Sequence, residues 1–394
     1  MKIRIPGWKK LVALSLGTVF LAGCQTIIPD APPPQTTTET PQLPTENVVE
    51  TPIDNTLPTD ETRHRVALLL PLSGKDAAVG QSIANATTLA LLDTKADNLR
   101  ITSYDTARGA KAAAQKAIAD GNRLILGPLL GDDVVAIAET ARASNIPIIS
   151  YSNDTGVAGS NVFIMGYVPN QSIDRVVKYA RSQGITKFAG LVPAGTYGQR
   201  ASTSLLNSVK AAGGTVVTLQ SFDRTQRSLD NALRRMQQDS AYEAILVADS
   251  GAAAVRVVPL IRNNGGASAR ILGTELWNTD NSLVSAPAMR GAWFASVPDG
   301  IYRQYATKYR NQFASDPFRL SSLGYDSVLL TIRIARDWKV GTPFPVDRLR
   351  DTGGFVGIDG AFRFGSSGIA ERLLEVQQIN SGQLGIVSAA PSGF

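Results

Sequence analysis

Apolar residues along this chain occur in two patterns. One is the short unbroken run, bounded by Gly, Pro, Ser or Asp, which reads as a strand buried on both faces. The other is recurrence every three or four positions over ten or more residues, which reads as an amphipathic helix. From Arg65 on, the two alternate. The pattern predicts strands at 66–70, 99–104, 123–126, 147–150 and 162–167, with helices at 78–92, 110–119 and 132–143 between them. It then repeats: helix 172–183, strand 188–192, helix 202–212, strand 215–219, helix 228–238, strand 244–249, helix 252–261 and strand 271–274. Two helices at 301–313 and 323–338 follow, and a β-rich tail closes the chain. Alternation of this kind predicts an α/β fold. Two doubly wound parallel-sheet lobes meet near Val168-Pro169 with a cleft between them, and ligands bind outside the carboxyl ends of the strands.

The first 62 residues follow neither pattern. Lys2, Arg4, Lys9 and Lys10 precede an uncharged apolar run over 11–22, about 12 residues long. That length suits a signal peptide and falls short of the roughly 20 residues a membrane-spanning helix needs. The run ends in Leu21-Ala22-Gly23-Cys24, which resembles the lipobox of bacterial lipoproteins and marks Cys24 for lipidation. Cys24 is the only cysteine, so with its sulfur acylated no disulfide remains available to the fold. Gln25, rather than Asp, follows it. By the same resemblance this favours the periplasmic side of the outer membrane over the inner membrane. Residues 25–62 are rich in Pro and Thr, with seven acids and no base, too few aliphatics to build a core, and an extended reach on the order of 100 Å. The expected organisation is a signal peptide over 1–23, the lipidated cysteine and a linker over 24–62, and a folded domain over 63–390. Lobe 1 is expected at about 64–167 and 296–365, and lobe 2 at about 168–295 and 366–390.

Charge and composition narrow the function. The net charge of +6 is the sum of a basic leader, an acidic linker and a folded part at about +9. A basic domain on an acidic tether could favour anionic surfaces or acidic partners, but scattered solvated Lys and Arg are the preferred account. No basic run with interleaved aromatics points to nucleic acid. His64 is the only histidine and sits at the linker–domain junction, which argues against a Ser-His-Asp triad or a histidine metal cluster. No phosphate-binding glycine loop is present, and no catalytic residue, metal or cofactor is expected.

The order of elements resembles the type I periplasmic-binding-protein fold used by leucine/isoleucine/valine-binding proteins. The run from Val66 to Gly74 is similar to that family's first strand and loop. Leu126-Gly127-Pro128-Leu129 is similar to its third strand end, and Ile148-Ile149-Ser150 to its fourth. Phe355 to Phe364 is similar to its late hairpin, and Arg372 to Val376 to a closing strand. Within that fold, the lipobox, the long Pro/Thr tether and the run Leu126-Gly127-Pro128-Leu129-Leu130 resemble the penicillin-binding protein activator lipoproteins. The best-known activators carry a helical-repeat domain ahead of this module. Between Cys24 and Arg63 this chain has only the linker. The resemblance implies a non-catalytic outer-membrane lipoprotein that stimulates a peptidoglycan synthase. The alternative it leaves open is a lipid-anchored substrate-binding protein that hands branched-chain or related amino acids to an ABC permease.

The resemblance also implies where a small amino-acid-like ligand would sit. Binders of this fold hold the carboxylate on hydroxyls and on backbone N–H groups at helix N-termini after the third and fourth strands, where the helix dipole is positive. Ser73, Ser152 and Asn153 are candidates for that role, and Tyr197 stands where such proteins often place a tyrosine. Asp249 and Glu275 end strands of the second lobe and could meet an ammonium group. Leu129 stands where binders show Ser or Thr, which favours an emptied or repurposed cleft. The plain alternative is that these polar residues only terminate strands.

Overall fold

The computed structural model describes residues 60–278, 280 and 282–394. The leader, Cys24 and the linker up to 59 lie outside the described residues. The first sheet holds β1 (His64–Leu70), β2 (Leu99–Asp105), β3 (Leu124–Leu126), β4 (Ile148–Ser150) and β5 (Val162–Ile164), in the all-parallel order β2-β1-β3-β4-β5. Helices α1 (Ala77–Thr94), α2 (Ala110–Ala119) and α3 (Gly131–Ala143) connect its strands. The unbroken apolar run of β1 is used on both faces. Val66, Leu68 and Leu70 face a core that includes Ile83 of α1, whereas Ala67 and Leu69 face one that includes Ala114 of α2 and Ile137 of α3. Burying a large aliphatic side chain is worth roughly 1.5–3 kcal/mol, against about 1–2 kcal/mol to fix one residue's backbone. Strands buried on both faces can therefore hold a fold without a cross-link.

The second lobe repeats the plan. Helices α4 (Pro169–Ser182), α5 (Thr196–Ala211), α6 (Gln226–Gln238) and α7 (Gly251–Asn263) alternate with β6 (Lys187–Pro193), β7 (Thr215–Phe222), β8 (Ala244–Val247) and β9 (Arg270–Gly273). After the short helix α8 (Ser282–Ser285) comes β10 (Trp293–Ser296), a strand the sequence pattern did not predict. The chain then returns to the first lobe for α9 (Gly300–Phe313) and α10 (Ser321–Ala335), and for a small sheet of β11 (Phe355–Gly357), β12 (Gly360–Phe364) and β13 (Ala370–Arg372). It ends with β14 (Glu375–Ile379), which adds antiparallel to β10, and β15 (Leu384–Ser388), which adds antiparallel to β14. The seven-stranded second sheet thus runs β15-β14-β10-β9-β8-β6-β7. The lobes are joined three times, at residues 165–168, 297–299 and 373–374. The last crossing comes after the expected boundary at 365–366, because Ala370–Arg372 still pairs with β12.

Helix α5 begins six residues before its expected start. Gly198 falls in its first turn, and a Cβ there would lie 1.6 Å from the Pro193 carbonyl oxygen at the end of β6. Gly80 in α1 stands in the same relation to Pro71, where the distance would be 2.0 Å. In each lobe the helix that follows the first strand packs so tightly on that strand's end that only glycine fits. The residue that permits the close approach is also the one that weakens the local helical signal.

Candidate functional site

The crossings form one wall of a cavity of about 420 Å³ between the lobes. That wall carries Tyr167, Val168, Ser296, Val297, Arg372 and Leu374. The first lobe adds Asp76 and Val79 from the start of α1, Leu129 and Leu130 from the loop after β3, and Tyr151 and Asn153 from the loop after β4. The second lobe adds Gln171 and Ser172 of α4, with Glu275, Leu276 and Asn278 after β9. Arg319 and Leu320 complete the lining just before α10. The cavity thus sits at the carboxyl ends of the parallel strands, where a doubly wound sheet presents ligands.

The structure sorts the residues singled out from sequence. Leu129, Asn153 and Glu275 line the cavity. Ser152 and Tyr197 lie in an adjoining groove with Asp154 and Arg200. The Ser152 hydroxyl accepts from the Asp154 N–H at 3.0 Å, and the Tyr197 hydroxyl donates to Glu275 Oε1 at 3.1 Å, with Thr274 Oγ1 also 3.0 Å away. Ser73 donates to Asp105 Oδ2 at 2.6 Å, and the other oxygen of that carboxylate accepts from Leu72 N at 2.9 Å, so Ser73 fastens its own loop. Asp249 is 3% exposed at the end of β8 and accepts two hydrogen bonds from Arg224, at 2.9 and 3.0 Å, away from the cavity lining. Glu275 is half-buried on the cavity wall. Burial pushes its carboxyl pKa up, and hydrogen bonds from Ser172 and Tyr197 only partly offset this.

A buried charged cluster behind the crossings was not singled out from sequence. Arg319 forms an ion pair with Asp359 and also donates to Ser322 Oγ at 2.9 Å. Tyr167 and Ser322 donate their hydroxyls to the same Asp359 carboxylate. Asp326 accepts from the backbone N–H of Ile358 at 2.7 Å, closing the β11–β12 turn. Arg372 donates Nη2 to the Met165 carbonyl at 2.8 Å and lies 5.1 Å from the ring centres of both Tyr167 and Phe362, while its Nε and Nη1 have no acceptor. Burial pushes the Asp359 pKa up, but Arg319 and Arg372 outweigh it and hold the group below the usual carboxylate range. Burial, reinforced by the negative Asp359, pushes Asp326 the other way. The available sequence signal was a charge inside an apolar stretch: Asp359 between Ile358 and a glycine, and Arg372 before Leu373-Leu374.

One further pair joins the lobes. Asp154, on the loop after β4, is ion-paired with Arg200 of α5, and each side chain is 29% exposed. His64 is distant from this chemistry. It is stacked on Trp338 at 4.0 Å, and burial lowers its pKa. Among the described residues no group of three or more His, Cys, Asp and Glu is placed to hold a metal ion, and no helix is long and apolar enough to cross a membrane.

Comparison with known proteins places this geometry. The family model described as periplasmic binding protein matches residues 64–383. The penicillin-binding protein activator LpoA of Mannheimia succiniciproducens is 23% identical over 306 residues, covering 68% of this chain and 47% of that protein. The chain spans about half the length of the curated relatives it matches. Full-length LpoA of Haemophilus influenzae superposes with a TM-score of 0.64 at 18% identity, covering 84% of this chain and 60% of that one. A branched-chain amino acid ABC transporter periplasmic ligand-binding protein from Burkholderia xenovorans superposes with a TM-score of 0.69 at 16% identity, covering 83% and 95%. Both superpositions speak to the fold.

Proposed function

The chain belongs to the periplasmic-binding-protein family, and on that premise we propose that it is a non-catalytic, membrane-tethered activator of a peptidoglycan synthase. In this reading residues 1–23 are a signal peptide, Cys24 carries the lipid, the stretch to 62 is a tether from the periplasmic side of the outer membrane, and residues 63–390 act on a penicillin-binding protein. The observation that carries it is the alignment with a penicillin-binding protein activator over 306 residues. The loop after β3 agrees with it: Leu129 and Leu130 stand where amino-acid binders place a hydroxyl for the ligand carboxylate. Affinity capture from membranes with the full lipidated chain tests the reading. A bifunctional penicillin-binding protein is expected in the eluate, and adding the chain to that purified synthase is expected to speed glycan polymerisation. No synthase recovered and no stimulation would reject it.

The open cavity favours a second reading, a lipid-anchored binding protein for an ABC importer of branched-chain or related amino acids. Calorimetry with an amino-acid panel tests it. Silence across the panel removes it, and saturable binding weakened by Tyr197→Ala supports it, because Tyr197 hydrogen-bonds Glu275 on the cavity wall.

A further inference from the structure

Besides the three crossings, the segment after β15 also reaches from one lobe to the other. Strand β15 runs antiparallel to β14 and so heads back toward the first lobe, and Ser388 pairs with Val376, just past the last crossing. There the segment is tied to the second lobe. Arg175 of α4 donates Nη2 to Ser388 Oγ at 2.6 Å and to the Ala389 carbonyl at 3.1 Å, and its Nε to the Leu374 carbonyl of the crossing at 3.0 Å. A few residues later the chain rests on the first lobe. The Arg363 guanidinium lies 4.6 Å from the centre of the Phe394 ring, and a Cβ on Gly354 would lie 3.0 Å from a carbon of that ring. Arg363 is itself held in place by Glu371, at 2.8 Å across β12 and β13. Six extended residues reach about 20 Å, which is enough for 389–394 to run beside the last crossing.

The two ends are held unequally. The root shares one arginine with the crossing, so it moves with the second lobe. The tip lies beyond the last strand, residues 391–394 are exposed, and the Phe394 ring is 42% exposed. Pro391 has one torsion fixed, which lowers the entropy cost of holding the segment in place. An exposed cation–π contact shifts a population a few-fold, enough to bias the lobes and too little to lock them.

We propose that residues 389–394 are a releasable strap across the lobe junction, with Arg175 as its fixed anchor and the Arg363–Phe394 contact as its clasp. With the clasp closed, the angle between the lobes is confined. With it open, the lobes sample a wider range. The strap is separate from the Asp154–Arg200 pair, which ties the loop after β4 to α5, and it rests on neither reading of the function. Because the ring is exposed, whatever lifts it frees the lobes, so the strap is a point of control outside the cavity.

Pulsed electron paramagnetic resonance on the full chain tests the proposal. Cys24 is the only cysteine, so in a Cys24→Ser background Thr88→Cys on α1 and Gln238→Cys on α6 carry one spin label on each lobe. Phe394→Ala is expected to broaden the distance distribution and to raise the fraction outside the wild-type range about two- to fivefold, the weight of an exposed cation–π contact. Phe394→Trp, a better ring for a guanidinium, is expected to narrow it. In an Arg363→Met background Phe394→Ala is expected to change little, because the cycle isolates the pair. Coincident distributions for wild type and Phe394→Ala would overturn the proposal, and so would an equal effect of Phe394→Ala with and without Arg363. If a thermal scan shows Arg363→Met unfolded, a chain ended at Ser388 provides the second test. It removes the clasp without altering the first lobe and must broaden the distribution as Phe394→Ala does; an unchanged distribution would overturn the strap.

Discussion

Replacing Gly198 by alanine adds one methyl group where there is no room for it. The new Cβ would sit 1.6 Å from the Pro193 carbonyl oxygen and 2.8 Å from its carbon, against an ordinary contact of 3.4 Å or more. Both neighbours are backbone, so no side chain can swing aside, and the first turn of α5 must lift off the end of β6 by more than an ångström. Overpacking of this kind costs about 1–3 kcal/mol or somewhat more. Alanine is the better helix former by up to about 1 kcal/mol, so the steric term wins. The expected net loss is on the order of 2 kcal/mol. Gly300 supplies the control. It opens α9, with nothing within 4 Å of its would-be Cβ, so Gly300→Ala should be neutral or slightly stabilising. Thermal scans of the wild type and both variants under one set of conditions decide the matter. The displaced turn carries Tyr197 and Arg200 toward the cleft, so Gly198→Ala should also loosen the Asp154–Arg200 pair. A Gly198→Ala protein that melts with or above the wild type would refute the reasoning, because it would mean the two elements are not in contact as described.

Three other outcomes are expected. Asp326→Asn should flatten stability against pH. The folded-state pKa of Asp326 is raised, so the native state holds an extra proton, and stability falls as pH climbs from the ordinary carboxylate range toward the raised value, by about 1.4 kcal/mol for each unit of elevation. Asparagine keeps an acceptor for Ile358 N and cannot ionise, so melting curves from pH 4 to 8 that fall equally in wild type and variant would contradict this. Arg200→Ala should cost at most about 1 kcal/mol, because the Asp154 pair is partly solvated, yet it should widen the interlobe distance seen by small-angle scattering; unchanged scattering would show that the pair does not hold the lobes. Cys24→Ser should abolish fatty-acid labelling and move the chain from the membrane pellet to the soluble fraction, because the proposed anchor needs the Cys24 thiol to take the lipid; retention in the pellet would refute lipid anchoring.

What could be read from the sequence depended on whether the information was local. Strand β1 was legible because an unbroken run such as Val66–Leu70 has few other homes than a strand buried on both faces. The parallel order followed from the alternation, and with it the rule that strand ends face the cleft, which is why Leu129, Asn153 and Glu275 were found on the cavity wall. Strand β10 was missed although 292–297 is an apolar run. Only the four-residue helix α8 and short turns separate it from β9, where the pattern calls for a long crossover helix, and its other neighbour, β14, lies about 80 residues away. The charged wall was missed for a related reason. Arg319, Asp359 and Arg372 come from the segment before α10, the β11–β12 turn and the end of β13, and each alone reads as a polar residue ending an element. Their pairing exists only once the chain has crossed between lobes three times. The cleft therefore has two parts of different origin: strand-end loops encoded by local pattern, and a crossing wall encoded by topology. A partner that reads only the loops would be indifferent to Arg372, whereas a ligand that reaches the wall would not. Substitution at that one residue separates a surface-docking role from an occupied cleft.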